Sequence, residues 1–445
     1  MKKKLTSAVL AATLAMTQLA GCSTGAAANP EGDGASEAAG SGKTEVLLWH
    51  VMSGDREEQL TAIVDGFNAS QDEYVVVAEA QGEYDEANSK FLNMAGSKDA
   101  PAIMQIGDQH LQAMYDSGLV ENISDMVEKY DYDTGVLLPQ AVDFYTVEGD
   151  MYAMPFNCSS PVIYYNVEAL KKAGMEMPPE TFEGIVDCAA AIAENNEGMK
   201  AFSITSWGYL LDQLLTNNGY PVVNNDNGLA ARATEAAYGE GLLRFYQFIA
   251  DLIAAGGFEN YGESDDDINA GFNNGDIAMF VTTSAWATSI IDSAPFEVGM
   301  AGIPHFEDRE PQGVYAGGGA FVMSKDLPDA VQEGAFSFLS YAASSEVQAE
   351  WAANTGYYPV NKDSYNTETI KNLYAEQPMM KIASDQLLNG QQNAITAGPL
   401  VTTLVQIRDD MMAGAELVFN GGDPQEAVDM AVQNTNQELE AANAA

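Results

Sequence analysis

Residues 45–106 read EVLLWHVMSGDREEQLTAIVDGFNASQDEYVVVAEAQGEYDEANSKFLNMAGSKDAPAIMQI. The apolar run Val46-Leu47-Leu48-Trp49 has the length of a strand, residues 56–67 read as a helix, and Tyr74-Val75-Val76-Val77-Ala78 is a second apolar run. Another helical segment near 85–94 leads to Ala102-Ile103-Met104-Gln105-Ile106. Strand, helix, strand, helix, strand is the rhythm of a parallel sheet, which predicts an α/β fold.

The rhythm continues outward from this stretch. Further buried strands are predicted at 201–205, 277–281, 298–303 and 320–323, longer helices near 236–255 and 330–341, and a mostly helical end over 402–439. No repeat of solenoid length is present, and after Lys43 no disordered linker separates two consecutive domains. Two lobes that exchange the chain more than once fit that absence.

Toward the N-terminus, Lys2, Lys3 and Lys4 precede a moderately apolar run over 5–20, the layout of a secretory signal. The run closes on Leu19-Ala20-Gly21-Cys22, which resembles a bacterial lipobox, where cleavage precedes a Cys that carries lipid. An ordinary signal peptide with a chance Cys is the alternative. Residues 23–43 are Ser, Gly, Ala, Glu and Asp without apolar periodicity and read as a flexible tether. The exported part then keeps Cys158 and Cys188, either a disulfide or two buried free thiols.

The 445 residues, 46% hydrophobic and 19% charged, exclude a wholly disordered chain and call for one large or two ordinary domains. With 19 basic against 65 acidic side chains the net charge is −46, which repels polyanions, so no nucleic-acid partner is expected. A polybasic membrane patch is disfavoured for the same reason. His50, His110 and His305 are scattered and no Cys or His lies at zinc spacing, so neither a metal nor another cofactor is expected. Asp265-Asp266-Asp267 and Asn224-Asn225-Asp226-Asn227-Gly228 read as solvated turns and helix caps. No P-loop, dinucleotide-binding glycine motif or G-x-S-x-G elbow is present, so catalysis has little support.

What the chain does hold is a set of segments rich in Tyr, Trp, Ser, Thr and Gly at expected element ends. They are Glu83-Tyr84, Asn157-Cys158-Ser159-Ser160-Pro161, Ser206-Trp207-Gly208, Thr282-Thr283-Ser284, Gly317-Gly318-Gly319 and Gly356-Tyr357-Tyr358-Pro359. Aromatic faces and hydroxyls at strand ends are how a cleft grips a polyol. Taken singly, each also reads as a core aromatic, a turn glycine or a cap.

Leu48-Trp49-His50, Ala100-Pro101-Ala102-Ile103-Met104-Gln105, residues 155–166 (PFNCSSPVIYYN) and Leu170-Lys171-Lys172-Ala173-Gly174 resemble the family 1 solute-binding proteins of bacterial ABC importers. Phe272-Asn273-Asn274-Gly275-Asp276-Ile277-Ala278-Met279, Thr355-Gly356-Tyr357-Tyr358-Pro359-Val360 and Val405-Gln406-Ile407-Arg408 are similar to the members that bind sn-glycerol 3-phosphate. The resemblance covers nearly the whole chain beyond the tether. It implies a two-lobed periplasmic-binding fold of type 2 with an interlobe ligand cleft. The implied division is a signal over 1–21, a tether over 22–43, one lobe over 44–155 plus about 284–330, and the other over 156–283 plus about 331–445.

Carried over by position, the resemblance implies that Tyr84, Asp108, Ser159, Trp207, Thr283, Gly317, Tyr357 and Arg408 line the cleft. Arg408 would hold phosphate with its planar fork, Trp207 would cover the carbon chain, and the rest would meet phosphate or glycerol. Asp108 stands where those relatives have Glu, and Thr283 where they have Ser, with Ser284 as its neighbour. The alternative for Arg408 is a helix-surface residue paired with Asp409 or another acid. The expected protein is a monomeric lipoprotein that binds a small polyol phosphate or glycerophosphodiester and docks on importer membrane subunits. A neutral sugar or oligosaccharide is the runner-up ligand, and a secreted hydrolase is the rival from another class.

Overall fold

In the computed structural model, which describes residues 42–444 apart from 95, 98 and 206, the opening stretch forms three parallel strands. These are β1 (Thr44–His50), β2 (Tyr74–Ala80) and β3 (Ile103–Gly107), and β1 lies between the other two. The intervening helices are Asp55–Ser70 and Tyr84–Met94. Eight further strands follow: a two-residue pair β4 (Thr146–Val147) and β5 (Asp150–Met151), then β6 (Met154–Ser159), β7 (Pro161–Asn166), β8 (Lys200–Ile204), β9 (Ile277–Thr283), β10 (Val298–Ala301) and β11 (Gly317–Met323). One sheet runs β2-β1-β3-β11-β6, and a second runs β10-β7-β9-β8. β3, β6, β7, β9 and β10 are buried along their whole length, because helices cover both faces of each sheet.

The chain passes between the sheets at Ser159–Pro161, again between Ala301 and Gly317, and again beyond Glu376. The expected lobe limits are corrected accordingly. β6 keeps the first lobe going to Ser159 rather than 155, and β10, within the 284–330 stretch expected in the first lobe, pairs with β7 in the second sheet. The helices Asp329–Ala342 and Ser345–Thr355 return to the first lobe, the former against β1 and β11 and the latter against Asp55–Ser70. An apolar run shows that a strand exists, but pairing across more than a hundred residues decides which sheet receives it.

The second lobe ends in a helical layer. The helix Leu404–Phe419 lies against Gly208–Asn217, Gly239–Ala254 and Pro424–Ala444. Cys158 in β6 and Cys188 in the helix Phe182–Asn195 are both buried free thiols. Burial pushes the Cys188 thiol up to about 11, which makes it unreactive at neutral pH. Among the described residues no helix is long and apolar enough to cross a membrane. The signal segment, Cys22 and the tether up to residue 41 lie outside the described residues.

Candidate functional site

Strand register brings the expected residues to one edge. β11 runs antiparallel to both β3 and β6, so Gly319 faces Gly107 while Gly317 faces Ser159. The residue after β3 is Asp108, the last of β6 is Ser159, and the last of β9 is Thr283. Ligands of open α/β sheets bind beyond such strand ends, and a cavity of about 540 Å³ opens here. Tyr84, Asp108, Ser159, Trp207, Thr283, Tyr357 and Arg408 all line it. Ser284 does not; it is buried, with its hydroxyl accepting from the Ser160 N–H at 3.3 Å.

Gly317 is not at the cavity wall either. A Cβ there would meet the Tyr209 hydroxyl at 2.2 Å, so its bareness makes room for the Tyr209 ring, whose O–H donates to the Ser159 carbonyl at 3.1 Å. The wall is formed by the next residue, Gly318, in the left-handed half of backbone space at φ 96°. Three consecutive glycines left the sequence without a means of choosing between them.

Arg408 is buried, with 6% exposure, and so is neither a surface residue nor paired with Asp409. Its Nη2 donates to Asp108 Oδ2 at 2.5 Å and to the Tyr315 hydroxyl at 2.9 Å, Nε donates to Asp212 Oδ2 at 2.7 Å, and Nη1 to Gln109 Oε1 at 3.2 Å. Tyr315 in turn donates to Asp212 Oδ1 at 2.6 Å. A guanidinium has five N–H donors, so one on Nη1 is left outside these bonds. Protein groups from both lobes thus already engage four of the five donors of the residue expected to hold phosphate. Asp212 is fully buried, and that burial pushes its carboxyl up to about 6 against the pull of Arg408 and Tyr315.

On the first-lobe side a chain of amides supports Tyr84. The Val51 N–H donates to Gln105 Oε1 at 3.0 Å, Gln105 Nε2 donates to Asn157 Oδ1 at 2.9 Å, and Asn157 Nδ2 donates to the Tyr84 hydroxyl at 3.1 Å. Burial keeps that hydroxyl protonated, well above the usual tyrosine range. Tyr357 stacks on Trp351 with ring centroids 5.5 Å apart, which fixes its ring at the cavity edge.

Several lining residues carry no expectation of a cleft role from the sequence. Arg56, Trp286, Tyr209, Asp265, Asp85 and Asp409 also face the cavity. Asp212 left a signal, an acid inside the apolar helical run Leu210-Leu211-Asp212-Gln213-Leu214-Leu215. Asp265 belongs to a triplet read as a cap and does open the helix Asp265–Asn274, yet burial at the cavity pushes its carboxyl up to about 6. Among the described residues, no group of three or more His, Cys, Asp or Glu side chains could hold a metal ion.

The family model for bacterial extracellular solute-binding proteins matches residues 62–378. The sn-glycerol-3-phosphate-binding periplasmic protein UgpB of Yersinia pseudotuberculosis is 29% identical over 401 residues, covering 88% of this chain and 91% of that one. Its counterpart from Escherichia coli strain 536 is 28% identical over 408 residues, covering 89% and 92%. Among solved structures, UgpB from Mycobacterium tuberculosis in complex with glycerophosphocholine aligns at a TM-score of 0.76, with 19% identity, over 91% of this chain and 100% of that one. The GacH receptor of Streptomyces glaucescens, solved unliganded and with acarbose, aligns at 0.75 with 20% identity over 89% and 99%. These structures share the two-lobed periplasmic-binding fold with its cleft between the lobes. Together with the sheet order and the match over most of the chain, they make this protein a member of the bacterial extracellular solute-binding family, whose members bind solutes and are not enzymes.

Proposed function

We propose that the protein captures sn-glycerol 3-phosphate or a glycerophosphodiester outside the cytoplasm and delivers it to the membrane subunits of an ABC importer. The observation that carries this reading is the meeting, in one cavity, of hydroxyls and aromatics from both lobes with a guanidinium. Tyr84, Ser159, Thr283 and Tyr357 supply neutral hydrogen-bonding groups, and Trp207 supplies a flat apolar face. The names of the UgpB relatives support it. Contacts made from both lobes favour the closed form by differential binding, and no bond is made or broken.

A neutral oligosaccharide is the second reading, favoured by the acids around Arg408 and by the further lining acids Glu83, Asp85, Asp265 and Asp409. Thermal-shift and calorimetric titration with sn-glycerol 3-phosphate, glycerophosphocholine and a set of maltodextrins separates the two. A true ligand adds about 2.7 kcal/mol to the free energy of unfolding at a hundredfold excess over its Kd, and it is recovered intact. Hits confined to sugars overturn the phosphate reading.

Anchoring through Cys22 belongs to the same proposal, supported by the charged start and the Leu-Ala-Gly-Cys ending. Cys22→Ala should abolish incorporation of labelled lipid and leave the precursor uncut. Unchanged labelling in that variant places the anchor elsewhere.

A further inference from the structure

Arg56 and Arg408 are the two cations lining the cavity among the described residues, and they are held in opposite ways. Arg408 has four of its N–H donors engaged by protein acceptors. Arg56 makes no ion pair with a carboxylate among the described residues. It stands in the first turn of the helix Asp55–Ser70, with its Cζ 4.0 Å from the ring centroid of Trp286. An indole face attracts a guanidinium and holds it flat while leaving its N–H edge open. Arg56 is half-buried and lines the cavity together with Tyr84 of the first lobe and Asp265 of the second.

We propose that Arg56, held over the Trp286 ring, is the anion-binding residue of the cleft and takes the ligand's phosphate, while the Asp108–Arg408 pair takes hydroxyl groups. The assignment rests on the glycerol-phosphate reading and refines it. A carboxylate beside a guanidinium with one remaining N–H offers an acceptor and a donor together, the complement of a diol. A phosphate gripped by two N–H donors of Arg408 would have to displace a protein acceptor; at Arg56 it displaces no acid. Arg56 was passed over in sequence because it sits among Asp55, Glu57 and Glu58, where a helix-surface charge is expected.

Calorimetric titration of the wild type, Arg56→Gln and Arg56→Lys with sn-glycerol 3-phosphate, and with inorganic phosphate as the minimal probe, tests this. Arg56→Gln should weaken both by the same factor, roughly 10- to 100-fold, and flatten their salt dependence. Its melting temperature should stay at the wild-type value, and lysine should fall between. A guanidinium that merely clamps Trp286 would instead lower the melting temperature and leave the salt dependence as it is. Wild-type affinity for both probes in Arg56→Gln overturns the assignment and leaves the glycerol-phosphate reading standing. If the wild type binds inorganic phosphate but not sn-glycerol 3-phosphate, that reading fails and the phosphate comparison alone decides for or against Arg56. Binding of neither probe overturns both.

Discussion

Arg408→Ala is expected to lower the free energy of unfolding by about 3–5 kcal/mol, the cost of leaving a buried ionic partner without its counter-charge. Asp108 and Asp212 are 7% and 0% exposed, and Arg408 is the cation that both contact. The two acids come from different lobes, so the loss acts on the junction as well as on each lobe. Urea unfolding checks it. Adding Asp108→Asn and Asp212→Asn to Arg408→Ala should recover part of the loss, because neutral amides need no counter-charge. An Arg408→Ala protein that unfolds at the wild-type midpoint would show that the carboxylates are compensated in some other way.

Gly318→Ala should be nearly as damaging. A Cβ at that position would lie 2.2 Å from the Asn157 carbonyl oxygen, and φ 96° is a conformation that side-chain-bearing residues rarely adopt. Backbone strain of this kind costs about 1–3 kcal/mol, and overpacking against main chain adds a similar amount. The clash falls on the β6–β11 pairing beside Ser159, so affinity for whichever ligand the wild type takes should fall together with the melting temperature. A variant that melts with the wild type and binds as tightly would mean that β6 and β11 separate there at little cost.

The α/β rhythm was legible because β1 to β3 are apolar runs whose burial comes from local neighbours. β6 and β7 were harder. Asn157, Cys158 and Ser159 look like loop residues, yet they are buried by pairing with β11, and Gln105, fifty-two residues earlier, provides the Asn157 side chain with a partner. Tyr84, Asp108 and Arg408 came from resemblance rather than spacing, since they lie on three separate elements. Their mutual arrangement was not legible at all: the Asp108–Arg408 bond joins residues three hundred positions apart. Trp286 and Arg56 meet for a similar reason, through a return of the chain after β9 that no local pattern announces.

The amide chain behind Tyr84 settles which way a proton points. A main-chain N–H can only donate, so Val51 obliges Gln105 to turn its oxygen inward and its NH₂ toward Asn157. Asn157 must then turn its oxygen to Gln105 and its own NH₂ to Tyr84, which occupies one lone pair of the phenol oxygen. The phenolic proton is left free of that amide chain. Toward any solute atom that reaches this hydroxyl, Tyr84 is therefore set to act as a donor. A peptide bond three groups away chooses in advance the sign of that hydrogen bond, and the bound state is spared the entropy of choosing it.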